Sequence, residues 1–171
     1  MRVRPEASGD VRAIYELQEA AFGRNDESLL IDRLRAEKGF EAPMSLVADE
    51  DEALIGHVLF THLQLAAGNR SLRAAALGPV GVHPDHQRKG VADRLIRYGL
   101  EYLKKEGYEA AVVLGDPAYY GRFGFSAQTA TPIICSYSGP HFMAIELRPG
   151  ALKTANQFKA VYHKAFAEAG L

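Results

Sequence analysis

The hydrophobic pattern at the start of the chain predicts one short strand, Arg2–Arg4, followed by two amphipathic helices. Apolar residues of the first helix recur at three- and four-residue steps, on a face formed by Val11, Ile14, Leu17 and Ala21. This spacing places them on one side of an α-helix, and Ser8 or Asp10 is the expected N-cap. The second helix is predicted from about Asp26 to Lys38, and Gly39 is expected to end it.

Three strands are predicted next, over Ser45–Asp49, Leu54–Leu65 and Leu72–His83. The acidic run Asp49–Glu52 is expected to be a solvated hairpin tip rather than a metal site, because no shaped ligand loop surrounds it. Gly78, Pro79 and Gly81 interrupt the third strand. Glycine and proline inside a strand are typical of a bulge or a splayed edge, so this strand should separate from one neighbour.

The clearest helix begins after Gly90, with an apolar stripe of Ala92, Leu95, Ile96, Gly99 and Leu103. The continuous apolar run Ala110–Leu114 predicts a buried strand. Asp116 and Pro117 have the residue types of the N-cap and first position of a short helix. The order of elements predicts a mixed α/β domain in which antiparallel hairpins precede one strand–helix–strand crossover.

Towards the end of the chain, strands are predicted over Ser126–Ser138 and Phe142–Leu147. A C-terminal amphipathic helix is predicted from the apolar positions Phe158, Val161, Tyr162, Ala165 and Phe166. The 171 residues fit one domain spanning 1–171.

Composition narrows the class of protein. The net charge of -1 gives no reason to expect nucleic acid or an anionic membrane as a partner. The single cysteine, Cys135, allows no disulfide within the chain, which favours a cytoplasmic protein. No apolar run is long enough to cross a membrane, and the first residues do not have the pattern of a signal peptide. A monomer or a homodimer is expected.

The segment 79–96 has the pattern of an anion site. A strand ends, a short loop follows, and a helix begins at Gly90, so unpaired N–H groups and the positive end of the helix dipole face the loop. Gly90 lets the backbone approach a phosphate closely, and Ala92 is small. Arg88 and Lys89 add positive charge. A solvated basic turn would have the same pattern, and neither the P-loop motif nor G-x-G-x-x-G is present.

Two motifs nevertheless resemble one family. Gln87–Ala92 is similar to the Q/R-x-x-G-x-G/A motif of the Gcn5-related N-acetyltransferases (GNAT). Tyr120–Phe125 is similar to the family's Y-x-x-x-G-F segment after the next strand. Ala21–Glu27 resembles the subgroup called YhbS-like. The resemblance covers about residues 1–147, and 148–171 is expected to be a C-terminal helical extension.

The resemblance implies the GNAT fold, an α/β (α+β) arrangement. Its mostly antiparallel mixed sheet has six to seven strands, flanking helices and a splayed central pair. It implies acetyl-CoA as donor and no metal. The pantetheine arm is expected on the backbone of Val80, Gly81 and Val82. The pyrophosphate is expected at Gln87, Arg88, Lys89, Gly90, Val91 and Ala92. Tyr120 matches the family's general acid for the departing thiolate, and Tyr119 is the alternative.

The sequence departs from the family at two points. Val113 occupies the position where many members have an asparagine, and Leu72–Val82 contains no carboxylate to act as a base. The base is therefore unassigned. Candidate relays are His57, His62 and His83, each of which also fits a structural role. Cys135 fits a small core residue better than a nucleophile, so direct transfer in a ternary complex is expected. His83 and His86 are separated by Pro84, which argues against a shared metal site.

The predicted activity is transfer of an acetyl group to a small-molecule or peptide amine. The acceptor should enter near Phe22–Asp26 and the loop Tyr137–His141. An acyl-CoA-binding sensor without turnover is the alternative, since the strand carboxylate is missing. A nucleic-acid-binding domain would use the basic residues Arg88, Lys89, Arg94 and Arg97. The neutral overall charge and the lack of an aromatic platform beside them argue against it.

Overall fold

The computed structural model describes residues 1–36, 44–153, 157–162 and 165. They fall into two compact units. The first unit comprises Met1–Phe60 and Gly78–Gly99, together with Ala165, and the second comprises Thr61–Leu77 and Leu100–Tyr162. Strand β3 (Ala53–Ala67), strand β4 (Arg70–Val82) and helix α3 (Val91–Lys105) each contribute residues to both units.

The strands are β1 (Arg2–Pro5), β2 (Ser45–Glu50), β3 (Ala53–Ala67), β4 (Arg70–Val82), β5 (Ala110–Leu114), β6 (Ile133–Ile134), β7 (Phe142–Glu146) and β8 (Phe158–Val161). The helices are α1 (Val11–Phe22), α2 (Asp26–Ala36), α3 (Val91–Lys105), α4 (Pro117–Tyr120) and α5 (Ala127–Ala130). Short 3-10 turns cover Ser8–Asp10, Pro84–His86 and Gly121–Phe123. The described residues thus contain eight strands where six to seven were expected, because β6 and β8 are short additions.

The first unit pairs β1 with β2 and β2 with the first half of β3, both antiparallel. Its core consists of Ile14, Leu30, Ile31, Leu34, Val47, Leu59 and Ala165. The predicted apolar face of α1 is confirmed at Ile14 and Leu17, which are buried. Each such side chain stabilises the fold by about 1.5–3 kcal/mol relative to an exposed one.

Neighbouring residues of β3 point to opposite faces of the strand, as the two-residue period requires. A Cβ on Gly56 would lie 2.6 Å from the Val91 side chain on α3. His57 points the other way and reaches the Gln18 side chain on α1. The first unit therefore has α1 on one face of β3 and the start of α3 on the other.

The second unit contains the predicted crossover. β4 and β5 are parallel, from Ala74↔Ala110 to Leu77↔Val113, and β5 pairs antiparallel with β7. β8 pairs antiparallel with the second half of β3 and parallel with β6. The largest members of its apolar core are Leu63, Leu65, Leu72, Ile133, Phe142, Leu152 and Phe158.

Two predicted elements are wrong. Ser126 does not begin a long strand: its hydroxyl accepts the Thr129 N–H at 3.0 Å and caps α5, so the chain is extended only at Ile133–Ile134. Phe158–Val161 is a strand and not a helix, because pairing with β3 and β6 satisfies its backbone. The predicted helix residue Phe166 lies outside the described residues.

The predicted boundaries near the first two helices are partly confirmed. Asp10 occupies the N-cap of α1, but its carboxylate accepts from Arg4 and from the Ala7 N–H instead of capping the helix. Helix α2 is described up to Ala36, and its predicted end at Gly39 lies outside the described residues.

Candidate functional site

The predicted phosphate loop leads into the N-terminus of helix α3. The first helical hydrogen bond of α3 runs from the Arg94 N–H to the Gly90 carbonyl at 3.1 Å. The N–H groups of Val91 and Ala92 consequently have no acceptor within the helix. They lie at the positive end of a 15-residue helix, which favours an anion in front of them.

The loop conformation leaves room for that anion. Gly90 has φ +80°, in the left-handed region that glycine adopts at no steric cost. No heavy atom beyond its chain neighbours lies within 4 Å of the position that a Cβ on Gly90 would take. Arg88 also has a positive φ, of 60°, and Arg88 and Lys89 are both exposed. The front of the helix is therefore open and carries positive charge.

Hydrogen bonds within the first unit hold the loop in place. The Gln87 side-chain amide donates to the Val82 carbonyl at 3.2 Å, and the His86 N–H donates to the His83 carbonyl at 2.8 Å. The His83 ring accepts from the Asp85 N–H at 3.4 Å. The side chains of Gln87 and His83 thus shape the loop.

The end of β4 leads into this loop. The parallel ladder with β5 ends at Leu77↔Val113, whereas the His83 N–H still bonds to the Ile55 carbonyl on β3 at 3.0 Å. Val80–Val82 lie after the last rung of the ladder. Gly81 is buried, and a Cβ there would lie 2.6 Å from Gln18 Oε1. Only glycine allows the α1 side chain to come this close.

A chain of hydrogen-bonded side chains continues from Gln18 into the first unit. We call Gln18, His57, Ser45, Glu6 and Arg35 the polar chain. Gln18 Nε2 lies 2.7 Å from His57 Nδ1, and His57 Nε2 lies 2.8 Å from Ser45 Oγ. The Ser45 hydroxyl donates to the Glu6 carboxylate, which also accepts two bonds from Arg35, at 3.1 and 2.9 Å.

The donors and acceptors of the polar chain can run in one direction only. The Glu6 carboxylate can only accept, so the Ser45 hydroxyl donates to it and accepts from His57 Nε2, which carries the proton. His57 Nδ1 is then the acceptor for the Gln18 amide nitrogen.

Burial, helped by the nearby positive charge of Arg35, lowers the pKa of His57 to about 3. The ring is therefore neutral at physiological pH, with both nitrogens engaged. The other candidate relays differ: His62 is exposed, and His83 caps the 3-10 turn.

Tyr120 belongs to the second unit and ends the short helix α4. The predicted cap is confirmed, since Asp116 Oδ1 accepts the Ala118 N–H at 2.9 Å. The Tyr120 ring is half-buried and contacts Tyr119 and Phe125, with ring centroids 5.0 and 6.1 Å apart. Burial raises the pKa of Tyr120 to about 12, so its hydroxyl keeps its proton at neutral pH. Within the described residues the Tyr120 hydroxyl forms no hydrogen bond.

Tyr119 has different surroundings. The Arg122 guanidinium lies 4.6 Å from the centroid of its ring, and the Phe123 ring lies 5.6 Å away. Cation–π and edge-to-face contacts of this kind hold a ring in place. The Tyr119 ring is thus packed between a cation and a second aromatic ring.

The remaining candidate residues are structural in the described part of the chain. Cys135 is half-buried against the core of the second unit, and its sulfur lies 3.9 Å from the Ser138 hydroxyl. Asp49 is paired with Arg2 and Arg4, which hold its pKa at about 2. Across the described ranges, no group of three or more His, Cys, Asp or Glu side chains could hold a metal ion. Nor does any described helix combine the length and apolar character needed to cross a bilayer.

Sequence reasoning missed most of the polar chain. Glu6, Ser45 and Arg35 are distant in sequence, so no local pattern connects them. Gln18 did carry a signal, because it follows Ile14 by four residues and therefore lies on the buried face of α1. An amide on an apolar helix face needs a buried partner.

Comparison with known proteins identifies the class. The acetyltransferase (GNAT) domain matches residues 2–127, so the chain belongs to the GNAT family of acetyltransferases. It is 34% identical over 140 residues to the uncharacterized N-acetyltransferase YhbS of Escherichia coli, covering 81% of each protein. It is 35% identical over 116 residues to the uncharacterized N-acetyltransferase YjhQ of the same species. That match covers 68% of the chain but 64% of YjhQ.

Solved structures confirm the fold. YhbS of Escherichia coli in complex with CoA superimposes with a TM-score of 0.86 at 30% identity, covering 97% of this chain and 91% of that one. A GNAT family acetyltransferase from Brucella melitensis in complex with acetyl-CoA gives 0.77 at 33% identity, covering 96% and 97%. The GNAT fold, the YhbS-like resemblance and the acyltransferase class predicted from the sequence are confirmed.

Proposed function

We propose that the protein transfers an acetyl group from acetyl-CoA to an amine by direct attack in a ternary complex. The observation that carries this proposal is the open helix N-terminus at Gly90, which the loop 83–89 connects to the strand segment Val80–Val82. CoA needs both features, one for its pyrophosphate and one for its pantetheine arm. The CoA and acetyl-CoA complexes of the two related proteins support the choice of donor.

The backbone does most of the binding in this proposal. Val80, Gly81 and Val82 hold the pantetheine arm through main-chain hydrogen bonds. The main-chain N–H groups of the loop and first helical turn hold the pyrophosphate; these belong to Gln87, Arg88, Lys89, Gly90, Val91 and Ala92. The side chains of Arg88 and Lys89 face solvent and can pair with the phosphate on the adenosine side.

Tyr120 acts as the general acid. The acceptor amine, with a pKa of about 10.4 if it is lysine-like, must first lose a proton. Its lone pair then forms the C–N bond while the thioester C–S bond breaks. The bonded nitrogen releases its surplus proton to solvent, the Tyr120 hydroxyl gives its proton to the departing thiolate, and solvent returns a proton to Tyr120. His57 is fully buried and neutral, with both ring nitrogens engaged, so we do not assign it as the base.

Several sequence predictions remain part of the proposal. The acceptor is a small-molecule or peptide amine, and its entry near Phe22–Asp26 and Tyr137–His141 stays a sequence prediction. Residues 1–171 act as one N-acetyltransferase domain, as a monomer or a homodimer. The single cysteine still favours a cytoplasmic location.

Thermal unfolding with CoA tests the proposal. Ligand at 100 times its dissociation constant adds about 2.7 kcal/mol of stability, which should raise the melting temperature by about 5–10 °C. The second step measures CoA release from acetyl-CoA with a panel containing an alkylamine, a polyamine, an amino acid and a peptide with a free N-terminus. An unchanged melting temperature at millimolar CoA would contradict the whole proposal.

A sensor that binds acyl-CoA without turnover is the second candidate. The absence of a carboxylate from β4 residues 72–82 favours it, because no base is provided there. The sensor would show the full thermal shift but release no CoA with any amine of the panel.

A further inference from the structure

The side-chain oxygen of Gln18 is the most unusual polar atom in the first unit. Gln18 is completely buried, yet among the described residues its Oε1 has no hydrogen-bond donor. A buried acceptor without a donor is unfavourable, and native proteins retain few of them. Such a group calls for an explanation, and a bound partner is one of those that native proteins provide.

The polar chain fixes which Gln18 atom is left over. Each step has one direction: Arg35 donates to Glu6, Ser45 donates to Glu6, and His57 donates to Ser45. His57 Nδ1 can then only accept, so it must face the amide nitrogen of Gln18. Reversing the amide would place two acceptors against each other. Gln18 is therefore held with its oxygen directed away from His57.

That oxygen lies against the proposed CoA strand. The position of a Cβ on Gly81 is 2.6 Å from Gln18 Oε1 and 2.9 Å from Gln18 Cδ. Gly81 has no side chain to separate the oxygen from the strand surface. Since Gly81 is the middle residue of Val80–Val82, the acceptor sits beside the segment proposed to carry the pantetheine arm.

We propose that Gln18 Oε1 accepts a hydrogen bond from an amide N–H of the pantetheine arm of CoA. Pantetheine contains two secondary amides, each with one N–H donor. The inference rests on the proposed function, since it presupposes that CoA binds along Val80–Val82. It makes Gln18 a binding residue outside the two family motifs, and the rest of the polar chain a support that orients it.

The test compares two ligands in one variant. Gln18→Met keeps the length of the side chain and removes the amide. By calorimetry, it should weaken CoA binding about tenfold, the effect of losing one buried hydrogen bond. Adenosine 3′,5′-bisphosphate has no pantetheine arm, so its affinity should stay within about twofold of wild type. The matched control is Gln64→Met, the same change at an exposed glutamine on β3, which should leave both affinities unchanged.

The outcomes separate this inference from the proposed function. If wild-type protein binds neither ligand, the proposed function fails. If wild type binds both and Gln18→Met binds CoA equally well, the Gln18 inference alone is wrong. Equal losses for both ligands would also contradict it, because the effect would not involve pantetheine.

A measurement on wild-type protein covers the case in which the variant does not fold. The side-chain amide carbon of Gln18, assigned by NMR, should shift when CoA is added and stay in place when adenosine 3′,5′-bisphosphate is added. Identical spectra with the two ligands would overturn the inference.

Discussion

The interiors of the two units differ in chemistry. The described part of the first unit buries five polar or charged side chains, those of Gln18, Glu27, Ser28, Ser45 and His57. In the described part of the second unit, no charged or amide side chain is buried, and its core is made of Leu, Ile, Ala, Val and Phe. One unit therefore contains an oriented polar network and the other an apolar core.

Burial keeps a titratable group neutral in both units. It lowers the pKa of His57 to about 3 and raises that of Tyr120 to about 12, because in each case the charged form loses its hydration. The consequences differ. Neutral His57 has one donor and one acceptor, so it sets the order of donors and acceptors along the polar chain. Neutral Tyr120 has a proton to give.

The largest expected effect is the loss of CoA binding when the loop around Gly90 in the first unit is changed. Gly90→Glu should raise the Kd for CoA at least about 100-fold, because a side chain and a negative charge would occupy the anion site at the helix N-terminus. Calorimetry or thermal shift with CoA measures it. CoA binding at wild-type affinity by the folded variant would show that the loop assignment is wrong.

Gly107→Glu is the matched control for that variant. Gly107 has φ +78°, nearly the same as Gly90, and its Cβ position is equally open. Backbone strain should therefore destabilise both variants by a similar amount, about 1–2 kcal/mol. Only Gly90→Glu should lose CoA.

The next effect concerns the second unit. Tyr120→Phe keeps the ring and its aromatic contacts but removes the proton donor. We expect kcat to fall about 10- to 100-fold, less than the roughly 10²- to 10⁴-fold typical of general acid catalysis, because a thiolate leaves reasonably well without protonation. CoA affinity should stay near wild type. The measurement is steady-state kinetics with the best amine of the panel, under conditions where chemistry limits the rate.

Tyr119→Phe is the control for the choice of tyrosine. Its ring is held by Arg122 and Phe123, so loss of its hydroxyl should leave kcat unchanged. A large loss for Tyr119→Phe together with an unchanged rate for Tyr120→Phe would reverse the assignment. Since the pKa of Tyr120 is about 12, its ionisation should not reduce kcat between pH 7 and about 10.

The polar chain makes stability depend on pH. The pKa of His57 in the folded protein, about 3, lies below the value of about 6.5 expected in the unfolded chain. Between these two pKa values, His57 is protonated in the unfolded chain but not in the folded protein. Its contribution to the free energy of unfolding is therefore fully present above about pH 6.5 and declines as the pH falls. Each pH unit is worth about 1.4 kcal/mol. His57 should therefore reduce the free energy of unfolding by about 2 kcal/mol between pH 6.5 and 5.

Urea unfolding at several pH values measures this slope. His57→Gln retains a donor and an acceptor for its two neighbours but cannot titrate. Its free energy of unfolding should therefore change less steeply with pH, by the equivalent of one bound proton. His62→Gln, the same change at an exposed histidine, should keep the wild-type slope. Equal slopes for wild type and His57→Gln would mean that His57 does not control acid stability.

Local patterns explain which features the sequence predicted. The loop around Gly90 and the cap at Asp116 depend on neighbouring residues, so their spacing could be read directly. The strand over Ser126–Ser138 was mispredicted because a hydroxyl competing for a backbone N–H outweighs strand propensity. Strand β8 was missed because its pairing depends on β3, more than 90 residues earlier in the chain.

The contacts of the polar chain could not be predicted from local patterns either. Its members come from β1, α1, α2, β2 and β3 or the segments beside them, and only the folded structure brings them together. The sequence marked His57 as a candidate relay by residue type. Its neutral, fully bonded state follows from burial, which a single sequence without its fold does not specify.

The smallest expected effect tests the exposed charges of the loop. Arg88 and Lys89 face solvent, where water and salt screen them, so Arg88→Ala and Lys89→Ala should each raise the Kd for CoA only about two- to fivefold. The loss should shrink in high salt. Dephospho-CoA lacks the 3′-phosphate, so the variant that no longer distinguishes it from CoA identifies the residue that pairs with that phosphate. Lys105→Ala, at an exposed position in the last turn of α3, is the control and should change neither affinity. If both loop variants distinguish the two ligands as well as wild type, the loop binds CoA through its backbone alone.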